Sequence, residues 1–163
     1  MKTAICPGSF DPITLGHLNV IRRAANIFDH VVVCIMCNPN KTSPMFTIEE
    51  KLEMARKATA RYKNVTVETY SGLLADYVKQ FDNAVIIKGL RAASDFDYEF
   101  QMDIINKRLN PNVETMFLPS DQKYTYISST MVREVANYGG DISGLVPDEL
   151  VDFIKQKAEQ WRK

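Results

Sequence analysis

Residues 3–17 read TAICPGSFDPITLGH, and this stretch decides the fold class. It begins with a short apolar run, Thr3 to Cys6, of the length and composition of a buried strand. A long polar loop, residues 7–17, follows. Directly after it, apolar residues recur at helical spacing: Leu18, Ile21, Ala25 and Phe28. A strand, a loop and an amphipathic helix in this order predict the start of a βαβ unit.

Further β-branched runs alternate with helical patterns along the rest of the chain. The predicted strands are Thr3 to Cys6, Val31 to Cys37, Val65 to Tyr70, Ala84 to Lys88 and Val113 to Leu118. This alternation predicts the α/β class, with a Rossmann-like five-stranded parallel sheet and helices on both faces. Because composition does not change along the chain and no repeat occurs, residues 1–163 are predicted to form a single domain.

Helices are also marked by their apolar stripes and ends. Two further stripes have helical spacing and are predicted to lie in the core: Leu73, Leu74, Tyr77, Val78 and Phe81, and then Phe96, Phe100, Ile104 and Leu109. Thr47 and Glu50 have the spacing of a capping box, which predicts a helix start. The pair Gly139 and Gly140 suits the end of a helix begun near Ser129, and Pro147 suits the start of a last helix reaching about Arg162.

Composition narrows the partners and the compartment. The 163 residues include 20 Lys and Arg and 20 Asp and Glu, so no net charge favours nucleic acid or a membrane surface. The short apolar run near Met1 lacks the length of a signal peptide or a membrane span, and we expect a cytoplasmic protein.

Three cysteines suit reduced thiols. Cys34 and Cys37 form a C-x-x-C, but strand alternation sends them to opposite faces, which disfavours a redox pair or zinc site.

The loop at residues 7–17 is the first candidate site, because ligands of open parallel sheets bind beyond the carboxyl ends of the strands. The free N–H groups of the following helix predict an anion site. His17 falls on the first turn of that helix, where its ring can donate to an oxyanion or serve only a structural purpose. His30 is predicted to be a cap or surface residue. Ser9, Asp11 and His17 also suggest a hydrolase, which the missing G-x-S-x-G turn disfavours.

Cations and hydroxyls recur at other strand ends. Lys41 follows the second strand, and Lys88 and Arg91 surround the end of the fourth, so three cations are predicted along one rim. Ile127 to Thr130 precede a helix, and three consecutive hydroxyl residues favour a second phosphate site over a simple N-cap. Neither a P-loop nor a G-x-G-x-x-G run occurs, which disfavours P-loop hydrolysis and ordinary NAD binding.

These segments resemble a known superfamily. The T-x-G-H run at Thr14 to His17 and the I-S-S-T run at Ile127 to Thr130 are similar to the paired signatures of nucleotidylyltransferases. Four more segments resemble the bacterial phosphopantetheine adenylyltransferase family: PGSFDP at residues 7–12, PMF at 44–46, KGLR at 88–91 and DFDYE at 95–99. The resemblance extends from the first strand to the last helix.

The resemblance implies transfer of AMP from ATP to 4′-phosphopantetheine, giving dephospho-coenzyme A and pyrophosphate, the penultimate step of coenzyme A synthesis. It further implies direct in-line attack without a covalent enzyme intermediate, assistance by Mg²⁺, a homohexamer and feedback by coenzyme A. Other branches of the superfamily, such as nicotinate mononucleotide adenylyltransferases or glycerol-3-phosphate cytidylyltransferases, are the nearest alternatives. A non-catalytic nucleotide-binding regulator and a flavodoxin-like electron carrier are alternatives of other classes.

Roles for individual residues also follow from the resemblance. His17, Lys41 and Arg91 would be catalytic, with His17 at the α-phosphate. The implied ATP contacts are Ser9, Phe10, His17, Gly89, Leu90, Arg91, Glu99, Tyr124, Thr125, Tyr126, Ile127, Ser128, Ser129 and Thr130. The implied acceptor contacts are Ser9, Lys41, Leu74 and Lys88. Lys41 lies in a segment one residue longer than the family pattern, and the spacing of Leu73 and Leu74 suits plain core packing equally well.

Overall fold

The computed structural model describes residues 1–37 and 43–162. Within these residues, five strands form one sheet: β1 (Thr3–Gly8), β2 (His30–Met36), β3 (Val65–Tyr70), β4 (Ala84–Leu90) and β5 (Glu114–Pro119). The helices are α1 (Leu15–Ala25), α2 (Ile48–Thr59), α3 (Leu74–Val78), α4 (Ala93–Leu109), α5 (Ser129–Asn137) and α6 (Val151–Trp161). Every predicted strand is present, with ends that differ from the prediction by two residues or fewer.

All strand pairs are parallel, and the order across the sheet is β3-β2-β1-β4-β5. β1 pairs with β2 along its whole length, from Thr3 opposite His30 to Gly8 opposite Ile35. With β4 it pairs only as far as Ile5 opposite Ile86. The two strands therefore separate toward their carboxyl ends, at the point where the strand order reverses. This is where an open α/β sheet forms its ligand crevice.

Strand alternation places helices on both faces of the sheet, as predicted. Ala4 and Cys6 of β1 point into the larger core cluster, which also contains side chains of α1, α2, α5 and α6. Ile5 points the opposite way, into a smaller cluster with Tyr77 and Val78 of the α3 region. The described chain thus supports the α/β Rossmann-like class.

Helix α4 departs from the expectation that its apolar stripe is core. The four residues of that stripe are 41% to 53% exposed: Phe96, Phe100, Ile104 and Leu109. Asn106 is the buried residue of this helix. Phe96 stacks on Phe100, with ring centroids 5.4 Å apart. The prediction was wrong because helical spacing identifies an apolar face but does not say what covers it. We call these four residues the outer α4 face.

The predicted helix ends are largely confirmed. Thr47 and Glu50 form a reciprocal capping box, with hydrogen bonds of 2.8 and 3.2 Å at the start of α2. Helix α5 ends shortly before Gly139, which has a φ of +74°. Pro147 precedes a 3₁₀ turn, Asp148–Leu150, that leads into α6.

All three thiols are free, Cys34 being buried and Cys37 partly exposed. Among residues 1–37 and 43–162, no helix has the length and apolar character needed to cross a bilayer.

Candidate active site

A cleft of about 560 Å³ opens where β1 and β4 separate. Eleven of the residues predicted for the site line it: Ser9, Phe10, His17, Lys88, Gly89, Arg91, Glu99, Ile127, Ser128, Ser129 and Thr130. These residues come from four strand ends and helix starts that are distant in sequence. The structure therefore brings these predicted residues together in one cleft, and their roles stay predictions. Lys41 lies outside the described residues.

Other predicted residues do not line this cleft. Leu74 is the first residue of α3 and packs against the smaller core cluster on the opposite face of the sheet. Its contacts are therefore those of core packing, and an acceptor contact stays a prediction. Leu90 is the last residue of β4. Residues 124–126 lie in and just after a 3₁₀ turn, with the Tyr126 side chain exposed.

The His17 ring is fixed by the N-terminus of α1. Thr14 is the N-cap, and its hydroxyl accepts a hydrogen bond of 3.3 Å from the His17 N–H. In return, the Thr14 N–H donates to His17 Nδ1 at 3.0 Å. His17 thus takes the place that Glu or Gln has in a capping box. Because Nδ1 acts as the acceptor, the proton of the neutral ring resides on Nε2.

The electrostatic surroundings keep this ring neutral. Burial, and then the positive charges of Arg91 and Lys88, lower the pKa of His17 to about 4. At neutral pH the residue therefore offers an N–H donor that carries no charge of its own. A donor held in place before the reaction stabilises charge that develops on a bound oxyanion without further reorganisation.

Phe10 supports the His17 ring from the loop after β1. The two rings meet edge to face, with centroids 5.0 Å apart and an interplanar angle of 65°. Phe10 is buried and has a φ of +44°, an uncommon conformation for a non-glycine residue. A Cβ on Gly8 would lie 3.1 Å from the Phe10 ring, so a larger residue there would displace the ring. The loop sequence is therefore shaped around the histidine.

Two cations of the cleft are held by carboxylates of α4. Arg91 donates to Asp95 through Nε and Nη2, at 3.1 and 3.2 Å. Burial alone would raise the pKa of Asp95, but the hydrogen bonds from Arg91 outweigh it and hold the pKa below its usual value. One turn later, Glu99 lies 3.3 Å from the Lys88 ammonium. The cations are thus oriented before any phosphate binds.

The hydroxyls before α5 already have protein partners. Ser128 is the N-cap, and its Oγ accepts from the Met131 N–H at 3.1 Å. The Ser129 hydroxyl donates to the Pro12 carbonyl at 2.7 Å. The two hydroxyls therefore have structural roles at this helix start, which also lines the cleft where a phosphate would bind.

Sequence reasoning noted Asp11 only with Ser9 and His17, as a possible hydrolase set, and missed its structural role. It is 6% exposed, and its two carboxylate oxygens accept from the N–H groups of Met45 and Phe46, at 3.2 and 3.1 Å. It also lies 3.6 Å from Lys51 Nζ and 3.5 Å from Arg133 Nη1. These contacts exclude the relay that a Ser9, His17 and Asp11 hydrolase would need, since His17 Nδ1 bonds to Thr14 instead.

The cleft contains other side chains that the sequence did not single out: Ser94, Asp95, Tyr98, Ser120 and Arg133. Asp95 lies in the DFDYE motif, and its position four residues after Arg91 could have indicated the ion pair between them. Nothing comparable in the sequence marked Arg133 or Ser120, because their neighbours in space are far away along the chain.

The cleft lies at the switch point of a parallel sheet, and a neutral histidine on a helix start meets two cations there. This arrangement suits the class of enzymes that transfer nucleotidyl groups. Consistently, a family model described as Cytidylyltransferase-like matches residues 5–135. The chain is 50% identical over 157 residues to a phosphopantetheine adenylyltransferase of Clostridium botulinum strain Hall, covering 96% of this chain and 95% of that protein.

A phosphopantetheine adenylyltransferase of Corynebacterium efficiens is 51% identical over 157 residues, with 96% of this chain and 98% of that protein covered. The chain belongs to the phosphopantetheine adenylyltransferase family and is an enzyme. A solved chain from Vibrio parahaemolyticus, proposed to be a nicotinate-nucleotide adenylyltransferase, superposes with a TM-score of 0.71 at 20% identity, covering 100% of this chain and 97% of that one. At that identity the likeness supports the fold alone.

Proposed function

We propose that this enzyme transfers AMP from ATP to 4′-phosphopantetheine, releasing pyrophosphate and forming dephospho-coenzyme A. The observation that carries the proposal is the neutral His17 ring, held by Thr14 in the cleft that Lys88 and Arg91 also line. The names of relatives at about half identity supply the acceptor. A donor and two cations suit a reaction in which negative charge shifts between phosphate oxygens.

The proposed reaction is a direct displacement. An oxygen of the acceptor phosphate attacks the α-phosphorus of ATP, a new P–O bond forms, and the bond to the bridging oxygen breaks with its electrons leaving on pyrophosphate. The Nε2–H of His17 donates to an α-phosphate oxygen while charge grows there, and Lys41 and Arg91 stabilise the same region. No protein nucleophile takes part, which agrees with the engagement of the Ser128 and Ser129 hydroxyls.

The two substrates divide the cleft between them in this proposal. ATP takes Ser9, Phe10, the residues 89–91, Glu99 and the segment 124–130, and the acceptor takes Ser9 and Lys88. Lys41, which lies outside the described residues, and Leu74, which packs on the opposite face of the sheet, are acceptor contacts implied by the family resemblance alone. Mg²⁺ would be held mainly by the phosphates of ATP and would neutralise their charge, because this ion keeps most of its waters and binds through substrate phosphates more than through protein cages. The cleft carboxylates Asp95 and Glu99 are engaged by Arg91 and Lys88, which favours such a route.

Assembly and regulation complete the proposal. A homohexamer is supported by the outer α4 face, because an apolar surface of this size on an outer helix suits burial against other copies of the chain. Coenzyme A shares the pantetheine arm of the product, so feedback would act by occupation of the cleft. The cytoplasmic location is supported by three free thiols, since reducing compartments keep cysteines unpaired.

The test is pyrophosphate release from ATP and Mg²⁺ with 4′-phosphopantetheine. Parallel reactions contain nicotinate mononucleotide, glycerol 3-phosphate with CTP, or no acceptor. We expect release with phosphopantetheine alone, and formation of ATP when dephospho-coenzyme A and pyrophosphate are supplied. Reaction with a different acceptor would overturn the substrate assignment, and binding of ATP without any release would favour a non-catalytic regulator.

A further inference from the structure

Asp121 lies just after β5, outside the set of residues that line the cleft, yet it is bonded to the helix that holds His17. Its carboxylate accepts a hydrogen bond of 2.7 Å from Asn19 Nδ2. It also lies 3.9 Å from Arg22 and 4.0 Å from Arg23. All three partners belong to α1, and Asn19 stands two residues after His17. The carboxylate therefore joins the end of β5 to the middle and the last turn of α1.

A second bond strengthens this junction. Arg23 Nη1 donates to the Pro119 carbonyl at 2.6 Å. Helix α1 thus holds the chain on both sides of Ser120, a residue that lines the cleft. The Ser120 N–H in turn donates to the Leu90 carbonyl at 2.8 Å, which continues the pairing of β5 with β4.

The chain beyond Asp121 runs through successive turns into the cleft. The Tyr124 N–H donates to the Asp121 carbonyl at 2.8 Å, and the Ile127 N–H donates to the Tyr124 carbonyl at 3.1 Å. The Ile127 carbonyl then accepts from Arg91 Nη1 at 3.4 Å. A displacement of Asp121 would therefore move Ile127, the Arg91 guanidinium and the start of α5.

The partner on α1 is a buried amide with one possible orientation. Asn19 is 4% exposed, and its Oδ1 has no hydrogen-bond partner among the residues that the structure describes. Turning the amide over would place Oδ1 against the Asp121 carboxylate, which would repel it. Asp121 thus fixes the amide, and a charge-assisted bond to a buried donor is stronger than a surface ion pair.

We infer that Asp121 is a positioning residue that sets the nucleotide half of the cleft, residues 120–130, in register with His17 on α1. This inference rests on the proposed function. There, the α-phosphate of ATP contacts both His17 and Arg91, so the relative placement of these two side chains decides how ATP binds. Asp121 acts through Asn19 and the backbone and touches no substrate. The acceptor half, around Lys88 at the other side of the cleft, does not depend on this bond.

The test compares Asp121→Ala, Asp121→Asn and a control, Glu53→Ala, which removes an exposed ion pair of 2.7 Å with Lys57 on α2. We expect Asp121→Ala to raise the KM for ATP roughly tenfold, since small displacements of bound groups have effects of this order or more. The KM for the acceptor should stay within about twofold, because its half of the cleft is not held by this bond.

Asp121→Asn keeps an oxygen that accepts from Asn19 and should restore most of the ATP affinity. The control, Glu53→Ala, should match the wild type.

The outcomes separate this inference from the proposed function. Unchanged KM values in Asp121→Ala, or an equal rise for both substrates, would overturn the positioning role, as would an Asn variant no better than the Ala variant. Should Asp121→Ala not fold, Asn19→Ala removes the same bond and carries the same expectations. If the wild type bound ATP but released no pyrophosphate, the proposed function would fail, and calorimetric ATP affinity of the same variants would still decide the role of Asp121.

Discussion

His17 combines a ring that we propose to act on the α-phosphate with the hydrogen bonds that begin a helix. Glutamine is an ordinary residue at this position of a capping box, so His17→Gln can still accept from the Thr14 N–H. Its amide does not place a donor where the Nε2–H lies. We expect turnover to fall about 10²- to 10³-fold, the usual cost of losing one transition-state donor. The KM values should change little.

Thermal unfolding of His17→Gln supplies the matched control, since the cap is retained and the melting temperature should stay near that of the wild type. A variant with normal turnover would show that the ring is structural, which is the alternative that the sequence left open.

The lowered pKa of His17 also predicts a pH dependence of stability. Burial and the Arg91 and Lys88 charges lower the pKa from 6.5 to about 4 in the folded protein. Between these values the unfolded chain binds more protons at this site than the folded chain, so the free energy of unfolding falls as the pH falls. The contribution is complete above pH 6.5 and is lost as the pH approaches about 4.

Denaturant unfolding across this range should therefore show the wild type losing more stability than His17→Gln, which cannot titrate there. Parallel losses in the two proteins would mean that the histidine ring is as easily protonated in the folded state as in the unfolded one.

At the scale of elements, Asp11 joins three parts of the fold. It connects the loop after β1 to the segment before α2, to α2 through Lys51 and to α5 through Arg133. Lys51 is 5% exposed, so Asp11→Ala would leave a buried ammonium without its carboxylate. We expect a loss of about 3–5 kcal/mol in the free energy of unfolding, measured in urea.

A double variant tests the cause of that loss. Asp11→Asn with Lys51→Met removes both charges and keeps a side chain that can accept from the Phe46 N–H, and it should recover part of the stability. If Asp11→Ala alone lowered the free energy of unfolding by less than about 1 kcal/mol, the pair of Asp11 and Lys51 would not hold these elements together.

The elements that could be predicted are those whose contacts join residues close together in the sequence. The strands and the α2 cap depend on local alternation and on Thr47 and Glu50, three residues apart, so their sequence signals were sufficient. The bonds of Asp11 to Arg133 and of Asn19 to Asp121 join residues more than 100 positions apart. Polar residues of this kind are ordinary on a surface, and only the folded chain shows that they meet.

At the scale of the whole molecule, the outer α4 face is the feature that a single copy of the chain leaves uncovered. Phe100 and Ile104 are 47% and 53% exposed, and a glutamate there would have to be buried in any contact between copies. We expect Phe100→Glu to shift the mass in solution from the assembly to a monomer, since burying an unpaired charge costs several kcal/mol.

Light scattering after size exclusion measures that shift. Tyr138→Glu, at a residue that is 86% exposed near the end of α5, is the matched control and should leave the mass unchanged. A wild type that is already monomeric at micromolar concentration would contradict the proposed assembly.

Helix α4 also holds the two cleft carboxylates, so one element faces the cleft with Asp95 and Glu99 and the surroundings with its aromatic residues. In the proposed assembly, both faces of this helix would be constrained. In saturation mutagenesis we would therefore expect α4 to tolerate fewer replacements than α6, and its sequence to change slowly between species. A compound bound to the outer α4 face could disturb both carboxylates from outside the cleft, and ATP would not compete with it.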